Sequence, residues 1–488
     1  MGNLVVHCRK CLLDRQTPLN RSTMDQRSRA TPLNVQRLKQ LAHHRTVGGP
    51  GQGVDGDLLS PVINNGARIR RPAPGFKRCS GGGGHMNSSN DSHSPKDAKR
   101  SISHKAETTL VTAGRDATAH KGFVNPPVVR GSTVLYPTAD DLHAHRGEFQ
   151  YGRHGTPTTK ALCEAMMALE GPQCAGVGLA PSGLSAISTA LLAVLKAGDH
   201  LLVCDNAYRP SRNFCNGMLA RYGVETTFFD PLIGAGIETL FRPNTKAVLV
   251  EAPGSQSLEM PDISAIATVA HAHGALVIDD NTWATPLYHR SLDQGVDISM
   301  QAATKYIGGH SDIMFGTISA NAKAWPLISD AIRMLGVCAG PDDVFLALRG
   351  LRTLAVRLAQ HHRSGLEMAR WLATRPEVIR VLHPALENDP GHAIWKRDFT
   401  GACGLFSIIL KPAPRKAVDA LLDTLTLFGM GYSWGGFESL VIPFDCAPYR
   451  TATQWAPGGP ALRLHIGLEN VDDLKADLER GFEAFNAA

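Results

Sequence analysis

Between residues 158 and 280 the chain switches regularly between two hydrophobic periods, and this alternation limits its possible folds more than any other feature. Thr158 to Leu169 carries apolar residues at helical spacing, Gly176 to Leu179 is a short apolar run, Ser185 to Lys196 is helical again, and His200 to Cys204 is extended. A helix over Ser211 to Tyr222 follows, then strands over Glu225 to Phe229 and Ala247 to Glu251, a helix over Ile263 to His273 and a strand over Ala275 to Asp279. Short apolar runs separated by amphipathic helices predict an α/β domain whose mostly parallel sheet lies between helical layers. In such a sheet, ligands gather beyond the carboxyl ends of the strands.

The residues with chemical potential fall at those ends. Asp297 to Ala303 reads as a short strand that delivers Lys305 into a loop of Gly308, Gly309, His310, Ser311 and Asp312. Burial would disfavour the ammonium form and free the amine as a nucleophile, the requirement for a Schiff base with a carbonyl cofactor. Upstream, Leu276-Val277-Ile278-Asp279 runs into Asp280-Asn281-Thr282, and a carboxylate there could hold a ring nitrogen protonated. Successive side chains point to opposite faces of a strand, so periodicity alone does not choose between Asp279 and Asp280. Ala180-Pro181-Ser182-Gly183-Leu184-Ser185 joins a strand to a helix, where backbone amides bind phosphate. Tyr208 follows another strand and could lay its ring over a planar group. Each of these has a plain structural explanation alone: a solvated lysine, an Asx turn or cap, an empty turn, an ordinary tyrosine. Their order is that needed for pyridoxal phosphate.

The segments YGRHGTPT at 151, VIDDNTWA at 277, QAATKYIGGHSD at 301, LRGLRTLAVRL at 348, YSWGGFESL at 432 and LRLHIGLENVDDL at 462 go further. Through them, roughly residues 103 to 487 resemble the Cys/Met-metabolism family of pyridoxal-phosphate enzymes. The resemblance implies fold type I, similar to aspartate aminotransferase, with pyridoxal 5'-phosphate as cofactor and an amino acid as the small-molecule substrate. It implies that Lys305 binds the cofactor and shuttles the Cα proton, that Asp280 pairs with the pyridinium, and that Tyr208 stacks on the ring and deprotonates the incoming amino group. Gly183, Leu184 and Thr304 would hold the phosphate. Tyr151 and Arg153 would reach the phosphate of a neighbouring subunit, in a homotetramer built as two dimers. Arg463 would clamp the substrate α-carboxylate, with Ser433 and Trp434 as the wall beside it. Two positions depart from the common pattern, Ala302 in place of a frequent serine and Leu184 in place of a frequent methionine.

The family holds β-lyases, γ-lyases and γ-synthases on one scaffold, so the fold does not select the reaction. Tyr432-Ser433-Trp434-Gly435-Gly436 resembles the β-lyase pattern, as does FDPLIG at 229. The implied reaction is β-elimination of L-cystathionine to homocysteine, pyruvate and ammonia. The alternatives are γ-elimination, a broader cysteine-conjugate β-elimination and, more distantly, nucleic-acid binding by the basic N-terminal segment.

Charge separates that segment from the rest. Residues 1–100 carry a formal balance of +11 with no Glu, while the remainder carries −5, so the sequence pI of about 8.8 does not describe the folded body. Arg, Pro, Gly, Ser and Asn dominate those residues, which predicts disorder. A transit peptide, or a start codon placed too far upstream of Met24 or Met86, also fits the composition. Cys8 and Cys11 form a lone CxxC without a second pair, so no metal is expected. Cys163, Cys174, Cys204, Cys215 and Cys338 sit among apolar residues and read as reduced core thiols of a cytoplasmic protein. No apolar run approaches the length that spans a bilayer.

The expected organisation is a basic extension over 1–100, an arm over 101–157 that contributes to a neighbouring subunit, a cofactor-binding α/β domain over 158–350, and an α+β domain over 351–488. In the last of these, a helix through Glu367 to Leu372, strands over Gly404 to Leu410 and Ser439 to Pro443, and a final helix over Val471 to Phe485 are predicted.

Overall fold

The computed structural model describes residues 104–488. The basic extension, with Cys8 and Cys11, lies outside the described residues.

Seven strands form the larger sheet: β1 (Gly176–Ala180), β2 (His200–Cys204), β3 (Glu225–Phe229), β4 (Thr245–Glu251), β5 (Leu276–Asp280), β6 (Ile298–Gln301) and β7 (Gly316–Ala320). Their order is β1-β7-β6-β5-β4-β2-β3. Every pairing from β6 to β3 is parallel, whereas β7 runs antiparallel to both β1 and β6. Strands β1, β2, β5, β6 and β7 are buried along their whole length, as expected of a sheet covered by helices on both faces. Apolar side chains such as Leu202, Val248 and Val277 pack on one side, and Leu201, Leu249 and Ile278 on the other.

Local chemistry sets the element boundaries. The helix Pro157–Glu170 begins where Thr156 accepts the amide of Thr159 and Thr159 returns the bond, with Pro157 in the first turn. The helix Gly183–Val194 is capped by Ser182, whose hydroxyl accepts the Ser185 amide at 3.1 Å. One predicted helix differs: the stretch from Ser211 to Tyr222 becomes an α-helix over Arg209–Phe214 followed by a wide π turn over Cys215–Leu219. Pro210, in the first turn, starts it earlier than the apolar periodicity suggests.

Four antiparallel strands form the smaller sheet, in the order β10-β11-β9-β8: β8 (Val378–Leu382), β9 (Leu405–Leu410), β10 (Leu440–Phe444) and β11 (Ala461–His465). The helices Leu354–Leu372, Arg415–Thr424 and Val471–Ala487 accompany it. Leu421, Leu474, Leu478 and Phe482 pack with Phe406 and Leu464 to fill its core. Among the described residues, no helix is long and apolar enough to cross a membrane.

The cysteines divide. Cys174, Cys204 and Cys215 are buried free thiols, as expected, but Cys163 is half-buried and Cys338 is exposed. The helix Trp325–Leu335 buries only Ile328 and ends at Gly336 with φ 68°, so Cys338 follows a stretch that is already exposed over Arg333–Gly336. Local hydrophobicity could not register that turn.

Candidate active site

Lys305 lies just past β6, in a turn where Gly308 and Gly309 donate back to the carbonyls of Ala303 and Lys305. The glycines answer to crowding. A Cβ on Gly308 would meet Ile313 at 2.7 Å, and one on Gly309, which has φ +74°, would meet Arg357 at 2.0 Å. Burial lowers the Lys305 pKa from its ordinary value; Asp280 opposes that shift and Arg463 adds to it. Its ammonium sits 5.8 Å from the centre of the Trp434 ring.

Asp280 ends β5 and accepts hydrogen bonds from the Thr282 amide and hydroxyl. The same hydroxyl accepts the amide of Ala302 at 2.8 Å, which ties the end of β5 to the turn bearing Lys305. Asp279 faces the opposite side of the sheet, toward Ser291 and Glu170, so tertiary structure separates the two aspartates. Parallel pairing of β4 and β5 sets Glu251 beside Asp280. Burial raises both carboxyls, and Glu251 is driven further by the charge of Asp280. The hydrogen bonds from Thr282 favour the anion at Asp280, and Glu251 is the more strongly raised of the two.

Glu251 was not singled out by sequence reasoning, although the signal used for Asp280, a carboxylate closing a buried strand, applies equally to it. Its Oε2 accepts the amide of Tyr208 at 2.6 Å and so fixes the start of that loop. The buried Asp205 holds the loop from behind. It accepts from Arg212 Nη1 at 2.8 Å and from the amides of Thr451, Ala452 and Thr453, which brings the segment 449–453 against the end of β2. Tyr208 itself is 43% exposed, leaving its ring open to the cleft. Burial pushes its phenol above the ordinary value, Glu251 and Asp280 add to the rise, and Arg463 opposes it.

The turn at Gly183 is also crowded. A Cβ on Gly183 would lie 2.5 Å from the Cβ of Ala302, so only glycine lets the helix N-terminus approach the Lys305 turn this closely. Leu184 follows in the first turn and is 41% exposed. Thr304 donates its hydroxyl to the Phe315 carbonyl at 3.2 Å and accepts the Phe315 amide at 2.9 Å, so that oxygen already has two partners.

From the smaller sheet, Arg463 on β11 donates to the Ser433 carbonyl at 3.3 Å. Burial pushes its guanidinium pKa down to about 10, which leaves it charged at neutral pH. Trp434 is buried, with its ring 5.5 Å from that of Tyr306. The structure thus brings together Lys305, Asp280, Tyr208, Gly183, Thr304, Ser433, Trp434 and Arg463. It does not bring Tyr151 and Arg153 to Lys305 within one chain: Tyr151 is exposed, and Arg153 donates to the Arg333 carbonyl at 2.9 Å.

A lysine at the end of β6, a carboxylate at the end of β5 and a capped helix N-terminus beside them suit a phosphorylated, carbonyl-bearing ring. Fold and site define a class, the pyridoxal-phosphate enzymes of fold type I. Residues 107–483 match the model of the Cys/Met metabolism PLP-dependent enzyme family, and the chain belongs to that family. It is 45% identical over 389 residues to a cystathionine beta-lyase of Escherichia coli, covering 78% of this chain and 98% of that one. It is 46% identical over 387 residues to a cystathionine beta-lyase of Salmonella typhimurium, covering 77% and 98% of the two chains. Among solved structures it is similar to a cystathionine gamma synthase from Xanthomonas oryzae pv. oryzae in complex with aminoacrylate and cysteine. That likeness has a TM-score of 0.73 and 32% identity, and covers 79% of this chain and all of the other.

Proposed function

We propose that this chain is a cystathionine β-lyase, which with water converts L-cystathionine to homocysteine, pyruvate and ammonia. The observation that carries the reading is Trp434, held 5.8 Å from the Lys305 amine and so beside the atoms that must react. The relatives at 45% and 46% identity support it.

Lys305, Asp280, Tyr208 and the amides of Gly183 and Leu184 would hold pyridoxal phosphate, which would supply an electron sink for charge leaving Cα. Arg463 receives the substrate carboxylate with donors not committed to Ser433, a task suited to a planar fork. That grip orients the Cα–H bond toward Lys305. Lys305 takes the proton as a neutral amine, the form its burial favours. Asp280 stays anionic opposite the accumulating charge, helped by Thr282. The Cβ–S bond would then break with its electron pair on sulfur, which would take the proton from Lys305 and depart as homocysteine, and the three-carbon remainder would leave as pyruvate and ammonia after taking up water. Thr304, already bonded twice to Phe315, shapes the turn and would contact phosphate through its remaining capacity.

The proposal includes shared sites. Tyr151 and Arg153, remote from Lys305 in their own chain, would serve a neighbouring subunit in a homotetramer of two dimers, with residues 101–157 as the contributing arm. The functional domains would run over 158–350 and 351–488. The buried free thiols suit a reducing cytoplasm.

Product identification from purified holoenzyme and L-cystathionine decides the reaction. Pyruvate with homocysteine is expected, and 2-oxobutyrate with cysteine would overturn the proposal in favour of a γ-lyase. Lys305→Ala should abolish both the visible absorbance of lysine-bound cofactor and pyruvate release.

A further inference from the structure

The loop that carries Trp434 is strained and needs something to hold it. Ser433 has φ 88°, a left-handed conformation that costs a non-glycine residue, and Gly435 follows with φ 86°. The loop also lies hard against the lysine turn. A Cβ on Gly435 would touch Lys305 backbone and Cβ atoms at 3.0 Å, and the Ser311 hydroxyl reaches Glu438 at 2.5 Å across the gap. Conformations of this kind persist only where the surroundings over-determine them.

Two side chains of β11, on the same face of the strand, supply that constraint. Arg463 grips the first carbonyl of the loop, at Ser433. Two residues on, His465 Nε2 accepts the Gly435 amide at 3.1 Å and lies 3.2 Å from the Gly436 carbonyl. His465 is 1% exposed, and burial, with His361 and Arg463 nearby, depresses its pKa to about 3. A neutral imidazole with a bare nitrogen can take an amide proton that a histidinium could not. The ring is itself wedged between Tyr306, at 6.0 Å between centres, and His361, at 5.2 Å, while His361 is anchored on the Ile466 carbonyl at 2.8 Å. Tyr306 follows Lys305 in sequence and accepts the Gly404 amide at 3.1 Å. Lysine turn and tryptophan loop are therefore both built against this one buried histidine.

We propose that His465 is a positioning residue of the elimination, fixing the 433–436 loop so that Trp434 stands against Lys305. The proposal rests on the β-lyase reading of Trp434 given above.

The test compares His465→Leu and His465→Gln in the holoenzyme. The leucine variant should bind cofactor and melt as a folded protein, with kcat for cystathionine reduced at least ~10-fold and KM changed less than about threefold, because Arg463 is untouched. Glutamine, with a side-chain oxygen that can accept the Gly435 amide, should restore kcat to within about threefold of the parent. A folded leucine variant with parental kcat overturns the proposal, as does a folded glutamine variant that loses as much as leucine. Hydrogen exchange on the parent holoenzyme decides the matter if neither variant folds. The Gly435 amide should exchange at least ~100-fold more slowly than an unbonded loop amide, and free exchange overturns the proposal. Exchange needs no substrate, so it stands even if the parent releases no pyruvate and the β-lyase reading itself fails.

Discussion

Arg463 shows how much of a single residue's role comes from its surroundings. On β11 it is 8% exposed, one of its nitrogens is spent on Ser433, and burial lowers its pKa only to about 10, so it stays charged. Replacing it with alanine removes the proposed charge-assisted partner of the substrate carboxylate. Arg463→Ala should raise KM for cystathionine by on the order of 100-fold, about 3 kcal/mol, with a smaller effect on kcat in steady-state kinetics. Lysine should not restore the loss, since a point charge lacks the planar fork. At this scale the sequence was informative where a residue sat in a distinctive segment. Lys305 followed a strand and entered a glycine loop, and that much was visible. The choice of Asp280 over Asp279 came from family resemblance rather than periodicity, and its physical basis is the opposite facing of consecutive strand residues. Glu251 went unnoticed because it becomes chemical only when β4 pairs with β5.

At the level of elements, close approach is the governing constraint. The helix Gly183–Val194 reaches the Lys305 turn only because Gly183 has no side chain. Gly183→Ala would force its Cβ into Ala302, displacing the amides proposed to hold phosphate. The expected outcome is a folded chain whose affinity for pyridoxal phosphate falls at least ~10-fold, read by absorbance titration of the apoenzyme. Most strands and helices between residues 158 and 280 were legible because each carries its own hydrophobic period. Strand β7 was not: Gly-Thr-Ile-Ser-Ala is short and half polar, and it becomes a buried strand only between β1 and β6. The same holds for β8, whose central residues Ile379 and Arg380 are exposed.

Across the whole molecule, the large sheet buries acids on the face away from the lysine. Glu170 has no exposure; its Oε1 accepts the Ser299 hydroxyl at 3.0 Å, and its Oε2 has no partner. Burial lifts its pKa from 4.5 to about 7, against the hydroxyls of Ser299 and Ser319, and Asp279 nearby is raised well above its ordinary range by burial and by Asp280. A carboxyl whose pKa is higher in the folded state stabilises the fold fully below the unfolded value and loses that contribution as pH rises through about 7. The stability difference between Glu170→Gln and the parent should therefore move in the variant's favour between pH 4.5 and 8, by on the order of 3 kcal/mol in denaturant unfolding. A pH-independent difference would refute the buried-acid argument. The contrast between Glu170 and Asp280 also marks what each level determines. By itself the sequence determined the alternating α/β order, the lysine and its glycine loop, and, through matched segments, the family, because these depend on neighbours in the chain. Only tertiary structure decided which aspartate lies on the side of Lys305, that Glu251 stands beside it, and that β11 reaches back to grip the loop of Trp434. Those outcomes depend on strand pairing and on contacts between segments about thirty residues apart, such as Glu251 with Asp280 and Arg463 with Ser433, which no local pattern encodes.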